Sequence, residues 1–268
     1  MKITSTNHMA DAFSSFSVSS DADANQDVDD IISGDFSARY TSAGSSANFT
    51  IAKTFSTGFS CKYLAIAGHN FGDIGGTLTI KVNTVLKETV AFTAGDVNSV
   101  VLSNFDNVTC TSIEVKFTKD TATDKATITY VSLGDLLDSV FNGASVNSEM
   151  SGYMRPWLTR SKQIRTVVND TAGPVAVVRQ QKTRKVSLAI NNVNVTVTNS
   201  SVWQDFLDRV FNEGDFFIKE EDGDTGGIAD NPKSSYMCFD AEVMPPRAHP
   251  GTRKLNNLSI KFSTFTGS

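Results

Sequence analysis

Apolar residues in this chain recur mostly at every second position, in short runs broken by turn residues. The clearest stretch is Cys61 to Val82. An apolar run, Tyr63-Leu-Ala-Ile-Ala67, stops at Gly68-His69-Asn70, a glycine-bearing connection covers Phe71 to Gly76, and Thr77-Leu-Thr-Ile-Lys-Val82 alternates strictly. Alternation places successive side chains on opposite faces of a pleated strand, and a short unbroken apolar run fits a buried one.

The same pattern fills the chain from Phe36 to Val131. Short strands are predicted around Phe49–Ile51 and Phe55, Tyr63–Ala67, Thr77–Val82, Val90–Phe92, Ser99–Leu102, Ile113–Phe117 and Ala126–Val131. Strands at such even spacing, rich in Thr, Val and Phe, predict a β-sandwich. Upstream, Phe13–Val18 reads as a strand, followed by a solvated acidic loop with Asp21, Asp23, Asp27, Asp29 and Asp30.

The period weakens after Leu137, so residues 138–149 are expected to be a connector between a sandwich unit, 1–137, and a second unit, 150–268. In the second unit Lys162–Val168 and Val175–Val178 read as strands around Gly173-Pro174. Arg184–Val197 reads as two strands with a hairpin tip at Asn191-Asn192. Trp203, Phe206, Leu207, Val210 and Phe211 then fall at i, i+3, i+4, i+7 and i+8, one apolar helix face, with Ser200 or Ser201 as the cap and Gly214 as the stop. Strands are expected again at Phe216–Lys219, Ser235–Val243 and Lys254–Phe262. The fold class is therefore mainly β, a sandwich followed by a β-rich domain with one amphipathic helix.

Composition narrows the function classes. The 268 residues suffice for two domains with real cores. No run has the length of a membrane-spanning helix, and the N-terminus lacks the apolar stretch of a cleaved signal. Three cysteines, Cys61, Cys110 and Cys238, are an odd number without C-x-x-C spacing, which favours free thiols in a reducing compartment. Residues 1–150 hold 9 Lys/Arg against 17 Asp/Glu, and residues 151–268 hold 15 against 12. That asymmetry fits two distinct units and not a nucleic-acid binder, whose domain would be strongly basic.

Candidate chemistry is sparse. His69 sits at the end of a buried strand, where a catalytic or metal-binding residue is conceivable. No G-x-S-x-G elbow accompanies it, and the other histidines, His8 and His249, are distant in sequence. Gly68, His69 and Asn70 are therefore read as a structural turn. Asp222-Gly-Asp-Thr-Gly226 starts like a calcium loop but has no closing glutamate. Arg160, Lys162, Arg165, Arg179, Lys182, Arg184 and Lys185 form a basic stretch, a candidate interface for an acidic partner such as the first unit of a neighbouring copy. No catalytic residue, cofactor or metal site is expected, and the chain is not read as an enzyme.

The stretch Tyr63–Asn70 followed by Gly76–Val82 resembles a segment of tail-associated virion proteins of tailed bacteriophages, where the module is a galactose-binding-like jelly roll. The opening Ala10–Ser20 and the closing Ile128-Thr-Tyr-Val-Ser-Leu-Gly134 are similar to its flanks. The helix Ser201–Asn212, Gly214-Asp-Phe-Phe-Ile218, Ser235–Phe239 and Leu255–Phe262 resemble the ring-forming domain of siphophage distal tail proteins. The resemblance implies a structural virion protein of the tail tip, made in the host cytoplasm. It implies a homo-oligomeric ring, a hexamer, between the tail tube and the baseplate hub, with tail fibres as further partners. The alternative it leaves open is a carbohydrate-binding module that meets host glycans during adsorption.

Overall fold

The computed structural model describes residues 2–32, 38–137, 145–147, 165–170, 173–179, 183–191, 193–194, 200–212, 214–219, 235–244, 247–248, 254–256 and 258–265. The protein is mainly β. In the first half the strands are β1 (Lys2–Ile3), β2 (Phe13–Ser19), β3 (Tyr40–Thr41), β4 (Asn48–Ala67), β5 (Gly76–Val82), β6 (Val85–Phe92), β7 (Val101–Lys119), β8 (Thr127–Ile128) and β9 (Tyr130–Gly134), with a one-turn helix α1 (Phe71–Ile74). In the second half they are β10 (Ser145–Asn147), β11 (Arg165–Asp170), β12 (Gly173–Arg179), β13 (Thr183–Asn191), β14 (Val193–Asn194), β15 (Asp215–Lys219), β16 (Ser235–Met244), β17 (Arg247–Ala248), β18 (Lys254–Asn256) and β19 (Leu258–Phe265), with helix α2 (Ser201–Asn212) before β15.

The sandwich is built around two long bent strands. β4 is continuous over 20 residues and β7 over 19, where the sequence pattern predicts several short strands. Their outer halves pair with each other and carry β2 on one side and β5 and β6 on the other, in the order β2-β4-β7-β5-β6. Their inner halves pair again, now with β9 beside β4. Shifts in register between Thr54 and Phe59, and between Cys61 and Tyr63, let one ladder bend from one layer to the next. Turn residues inside β4 and β7 break the alternation without ending the strand, so the pattern alone divides them.

The inner half of β4 is apolar on both faces because both faces are covered. Leu64 and Ile66 enter the sandwich core with Phe49, Ile51, Leu78, Val115 and Phe117. Tyr63, Ala65 and Ala67 enter a second cluster with Val100, Leu102, Tyr130, Phe217 and Met237, which joins the sandwich to the second sheet. Each large side chain buried in this way is worth roughly 1.5–3 kcal/mol.

The second sheet runs β1-β15-β16-β19-β13-β10. Two strands of this sheet come from outside the expected second unit. β1, at the start of the expected sandwich unit, pairs with β15 instead, Lys2 opposite Lys219 and Ile3 opposite Ile218. β10, inside the expected connector, adds to the far edge of the same sheet against β13. The hairpin expected at Asn191-Asn192 is also absent. β13 pairs with β19 and β14 with β18 in one register, Ile190 opposite Leu258 and Val193 opposite Leu255, so the residues on the two sides pair with these strands and not with each other; Asn192 itself lies outside the described residues. Asparagine supports a turn but does not impose one when a long partner strand continues alongside.

α2 covers this sheet. Ser200 caps it, its Oγ accepting from the Trp203 N–H at 3.3 Å. Trp203, Phe206 and Val210 are buried, and Leu207 is half-buried. Phe211, placed on the core face by the sequence pattern, is 72% exposed, and Arg209 is buried in its stead. Phe211 lies about 100° round the helix from Val210, beyond the edge of the buried stripe, whereas Arg209 points to hydrogen-bond partners at the junction of the two units.

Candidate functional site

Gly68, His69 and Asn70 form a fully engaged turn. Gly68 has φ +64°, and a Cβ there would stand 2.6 Å from the Thr129 side chain. Only glycine meets both conditions. His69 is buried at 4% exposure. Its Nδ1 accepts from the Phe71 N–H at 3.3 Å, which leaves the proton on Nε2 to donate to the Ser99 carbonyl at 2.7 Å. The ring stacks on Phe71 at 4.5 Å and meets Phe92 edge-on at 5.4 Å. Asn70 donates to the Lys125 carbonyl at 2.9 Å and accepts from the Thr127 N–H at 2.8 Å. The imidazole nitrogens are thus both used by backbone, and the turn fastens three loops.

The basic stretch is only partly described. Arg165 and Arg179 are opposite each other at the open end of the β11–β12 hairpin, and Arg184 and Lys185 are on β13. Arg160, Lys162 and Lys182 lie outside the described residues, as do His249 and Asp222–Gly226.

The acidic loop is not wholly solvated. Asp21 is 0% exposed and pairs with Lys119, equally buried, at 2.7 Å. Asp21 also accepts from the Ser45 and Ser46 N–H groups at 2.6 and 3.1 Å. Burial pushes its carboxyl up, but hydrogen bonds from Lys119, Ser42 and Ser45 outweigh that and hold it well below the usual range. Lys119 donates further to the Ala122 and Asp124 carbonyls at 2.9 and 2.5 Å. One carboxylate and two carbonyls surround a cation, fewer oxygens than the roughly six to eight that calcium takes. Here the cation is the chain's own ammonium group. Among the described residues no group of three or more His, Cys, Asp or Glu converges on a metal position.

Other titratable groups are structural in their surroundings. Lys53, 1% exposed, donates to the Met9 carbonyl beneath the rings of Phe13, Phe16 and Phe55, at 4.4, 4.9 and 5.3 Å from their centroids. Desolvation lowers its pKa, opposed by Asp29 and Asp11. Cys61, Cys110 and Cys238 are buried free thiols, and burial pushes Cys61 and Cys238 away from the reactive thiolate form.

The arrangement with the character of a binding site lies elsewhere, where two irregularities converge. In β7 the residues Phe105–Asn107 stand opposite the single residue Lys62 of β4. In β6, Lys87 is the extra residue between Glu88, opposite Ile80, and Leu86, opposite Lys81. Bulges turn side chains out of the pleat, and here they line one open depression of about 520 Å³ formed by Lys2, Lys62, Leu86, Lys87, Asn104, Phe105, Asp106, Asn107 and Leu136. Phe105 is half-buried, anchored against the sandwich core, with Lys87 Nζ 5.5 Å from its ring centroid. Asn104 Oδ1 accepts from Lys219 at 2.6 Å. Lys62 pairs with Asp135 at 3.0 Å, and Ser60 donates to Asn107 Oδ1, 2.8 Å away. This site combines an aromatic ring, carboxamides and ammonium groups, and it needs both units, since Lys2 belongs to the second sheet. None of its residues stands out in the sequence. The only signal is Asn104-Phe-Asp-Asn107, one aromatic among three polar residues, interrupting an otherwise alternating strand.

No protein-family model and no curated protein matches the chain. Solved structures similar to part of it include a chitosan-binding module of a chitosanase/glucanase from Paenibacillus sp. IK-5, at 14% identity over 46% of this chain and 96% of that one, with a TM-score of 0.38. The CBM32 of AlyQ in complex with 4,5-unsaturated mannuronic acid is 20% identical over 47% and 98%, TM-score 0.36. The family 32 module of C. perfringens NanJ in complex with galactose is 16% identical over 44% and 91%, TM-score 0.36. Likenesses this loose determine neither ligand nor site.

Proposed function

We propose that the chain is a glycan-binding protein that holds a saccharide in the depression between Lys87 and Asn104–Asn107. The observation that carries this reading is the convergence of the β6 and β7 bulges, which brings the half-buried Phe105 together with the carboxamides of Asn104 and Asn107 and the carboxylate of Asp106. An aromatic face suits the C–H side of a sugar ring, and the flanking amides and charges suit its hydroxyls. The reading assigns the chain no reaction. A glycan array probed with the full chain tests it, followed by titration of any hit against Phe105→Ala. Retention of a glycan that the variant loses at least tenfold, at unchanged thermal midpoint, is the expected result. Binding to no glycan, or binding indifferent to Phe105, refutes it.

A second reading concerns how the site is carried. We propose that the second sheet mounts the sandwich rigidly in a homo-oligomeric ring, a hexamer, of the kind the sequence resemblance implies for a phage tail tip, between tail tube and baseplate hub and with fibres alongside. What favours it is the packing of Tyr63, Tyr130, Phe217 and Met237 into one buried cluster between the units. Mass photometry of the purified chain tests it. A monomer at every accessible concentration, together with absence of the protein from virion tail tips, counts against it.

A further inference from the structure

We infer that Lys87 covers the sugar-binding face of this site: its ammonium occupies the Phe105 ring when no saccharide is there, and a sugar stacks only by displacing it. The inference rests on the glycan reading above and adds the step by which the site opens. Lys87 Nζ stands over the Phe105 ring, 5.5 Å from its centroid. Phe105 is half-buried and packed against the sandwich core, which leaves the depression as its open side. Lys87 lines the same depression. The ammonium therefore sits on the side from which a ligand must come.

Ladder geometry does not impose this contact. β5 joins β6 to β7 in the sheet, and its pairing with β7 ends at Val82 opposite Ile113. Phe105 lies beyond that ladder, so it and Lys87 are not cross-strand neighbours. They meet because each sits in the bulge of its own strand: Lys87 is the extra residue of β6, and Phe105 belongs to the stretch of β7 that faces Lys62 alone.

The cover is also easily lifted. Lys87 is itself half-buried, on a flexible four-carbon stem. A cation–π contact at a partly exposed site is worth a factor of only about two to five in an equilibrium. An ammonium is strongly hydrated and returns to water at small cost, whereas the ring face leaves water once the C–H side of a sugar lies on it. The covered ring and the stacked ring are thus two states of one site, and saccharide selects the second.

The test has a ligand-free and a liganded arm, both on the full chain. By NMR, the ε-methylene protons of Lys87 should be shifted upfield by the Phe105 ring current, and Phe105→Leu should abolish the shift. Calorimetry with galactotriose, cellotriose and mannotriose, and with any glycan retained on the array, reads the second arm. Lys87→Ala should tighten binding of whichever saccharide binds by about two- to fivefold. Lys87→Arg should weaken it, because a guanidinium stacks better than an ammonium on an aromatic face. Thermal midpoints confirm that both variants fold. In the unsubstituted chain the upfield shift should vanish as saccharide saturates the site. Absence of the shift in the free protein overturns the inference, as does a saccharide that binds Lys87→Ala no more tightly than the unsubstituted chain, and the glycan reading survives both. A shift that persists at saturation also overturns it, since sugar and ammonium then share the ring. Binding of no glycan at all ends the glycan reading itself, and this inference with it.

Discussion

The guanidinium of Arg209 donates to the phenolic oxygen of Tyr63 at 2.8 Å, across the junction between helix α2 and strand β4. Arg209 also donates to Thr4 Oγ1, the Thr6 carbonyl, Ser132 Oγ and Asp215 Oδ2, at 2.8 to 3.1 Å. One buried charge thus ties together the N-terminal segment, the sandwich, the helix and the second sheet. Truncating one partner of a buried charged network costs far more than the pair contributes net, because the other charge is left behind. Arg209→Met should destabilise the protein by about 3–5 kcal/mol, and Tyr63→Phe by about 1–3 kcal/mol. Denaturant unfolding read by both tryptophan fluorescence and far-UV circular dichroism checks this. The two probes should separate in Arg209→Met, as the units uncouple.

Asp21 and Lys119 should make the sandwich acid-sensitive. The folded-state pKa of Asp21 is depressed, so its contribution to stability is complete above the ordinary value of 3.8 and is lost progressively as pH falls below it. Asp21→Asn should remove that part of the acid limb and cost about 3–5 kcal/mol at neutral pH by leaving Lys119 buried without its carboxylate. Thermal midpoints across pH 2 to 7 (approximate range) check the sign. Chelator should leave the midpoint unchanged, because the cation in this oxygen set is covalently part of the chain.

His69→Ala should lower stability by about 2–4 kcal/mol, through lost ring packing on Phe71 and Phe92 and the freed Phe71 N–H and Ser99 carbonyl. Saccharide binding by the folded fraction should persist, since no residue of the turn lines the depression. Loss of binding at unchanged stability would refute the assignment of His69 to the turn.

On α2, neighbouring aromatics should behave oppositely. Phe206, 0% exposed among Trp203, Phe216 and the sheet, should cost about 3–5 kcal/mol on truncation to alanine. Phe211→Ser, at a position 72% exposed, should change monomer stability by no more than about 0.5 kcal/mol. Should Phe211 lie in a ring interface, the substitution would show in oligomeric state while leaving the monomer's unfolding midpoint alone.

What the sequence determines by itself is local. Period-two alternation in Gly76–Val82 and the apolar face of Ser201–Asn212 are consequences of backbone geometry, and both elements stand where the pattern puts them. The turn at Gly68-His69-Asn70 is legible for the same reason, since a positive φ calls for glycine whatever surrounds it. What only the tertiary structure decides is who meets whom. Whether Phe55 and Tyr63 share a strand depends on a partner able to bend with it, and β7 is that partner. Lys119 reaches Asp21 from 98 residues away, and the pattern of an acidic loop cannot reveal that one of its carboxylates is buried against a cation. The depression is the extreme case. Lys62, Lys87 and Asn104–Asn107 are brought together by register shifts in two different strand pairs, and a register shift is a property of a strand pair, which no single stretch of sequence contains.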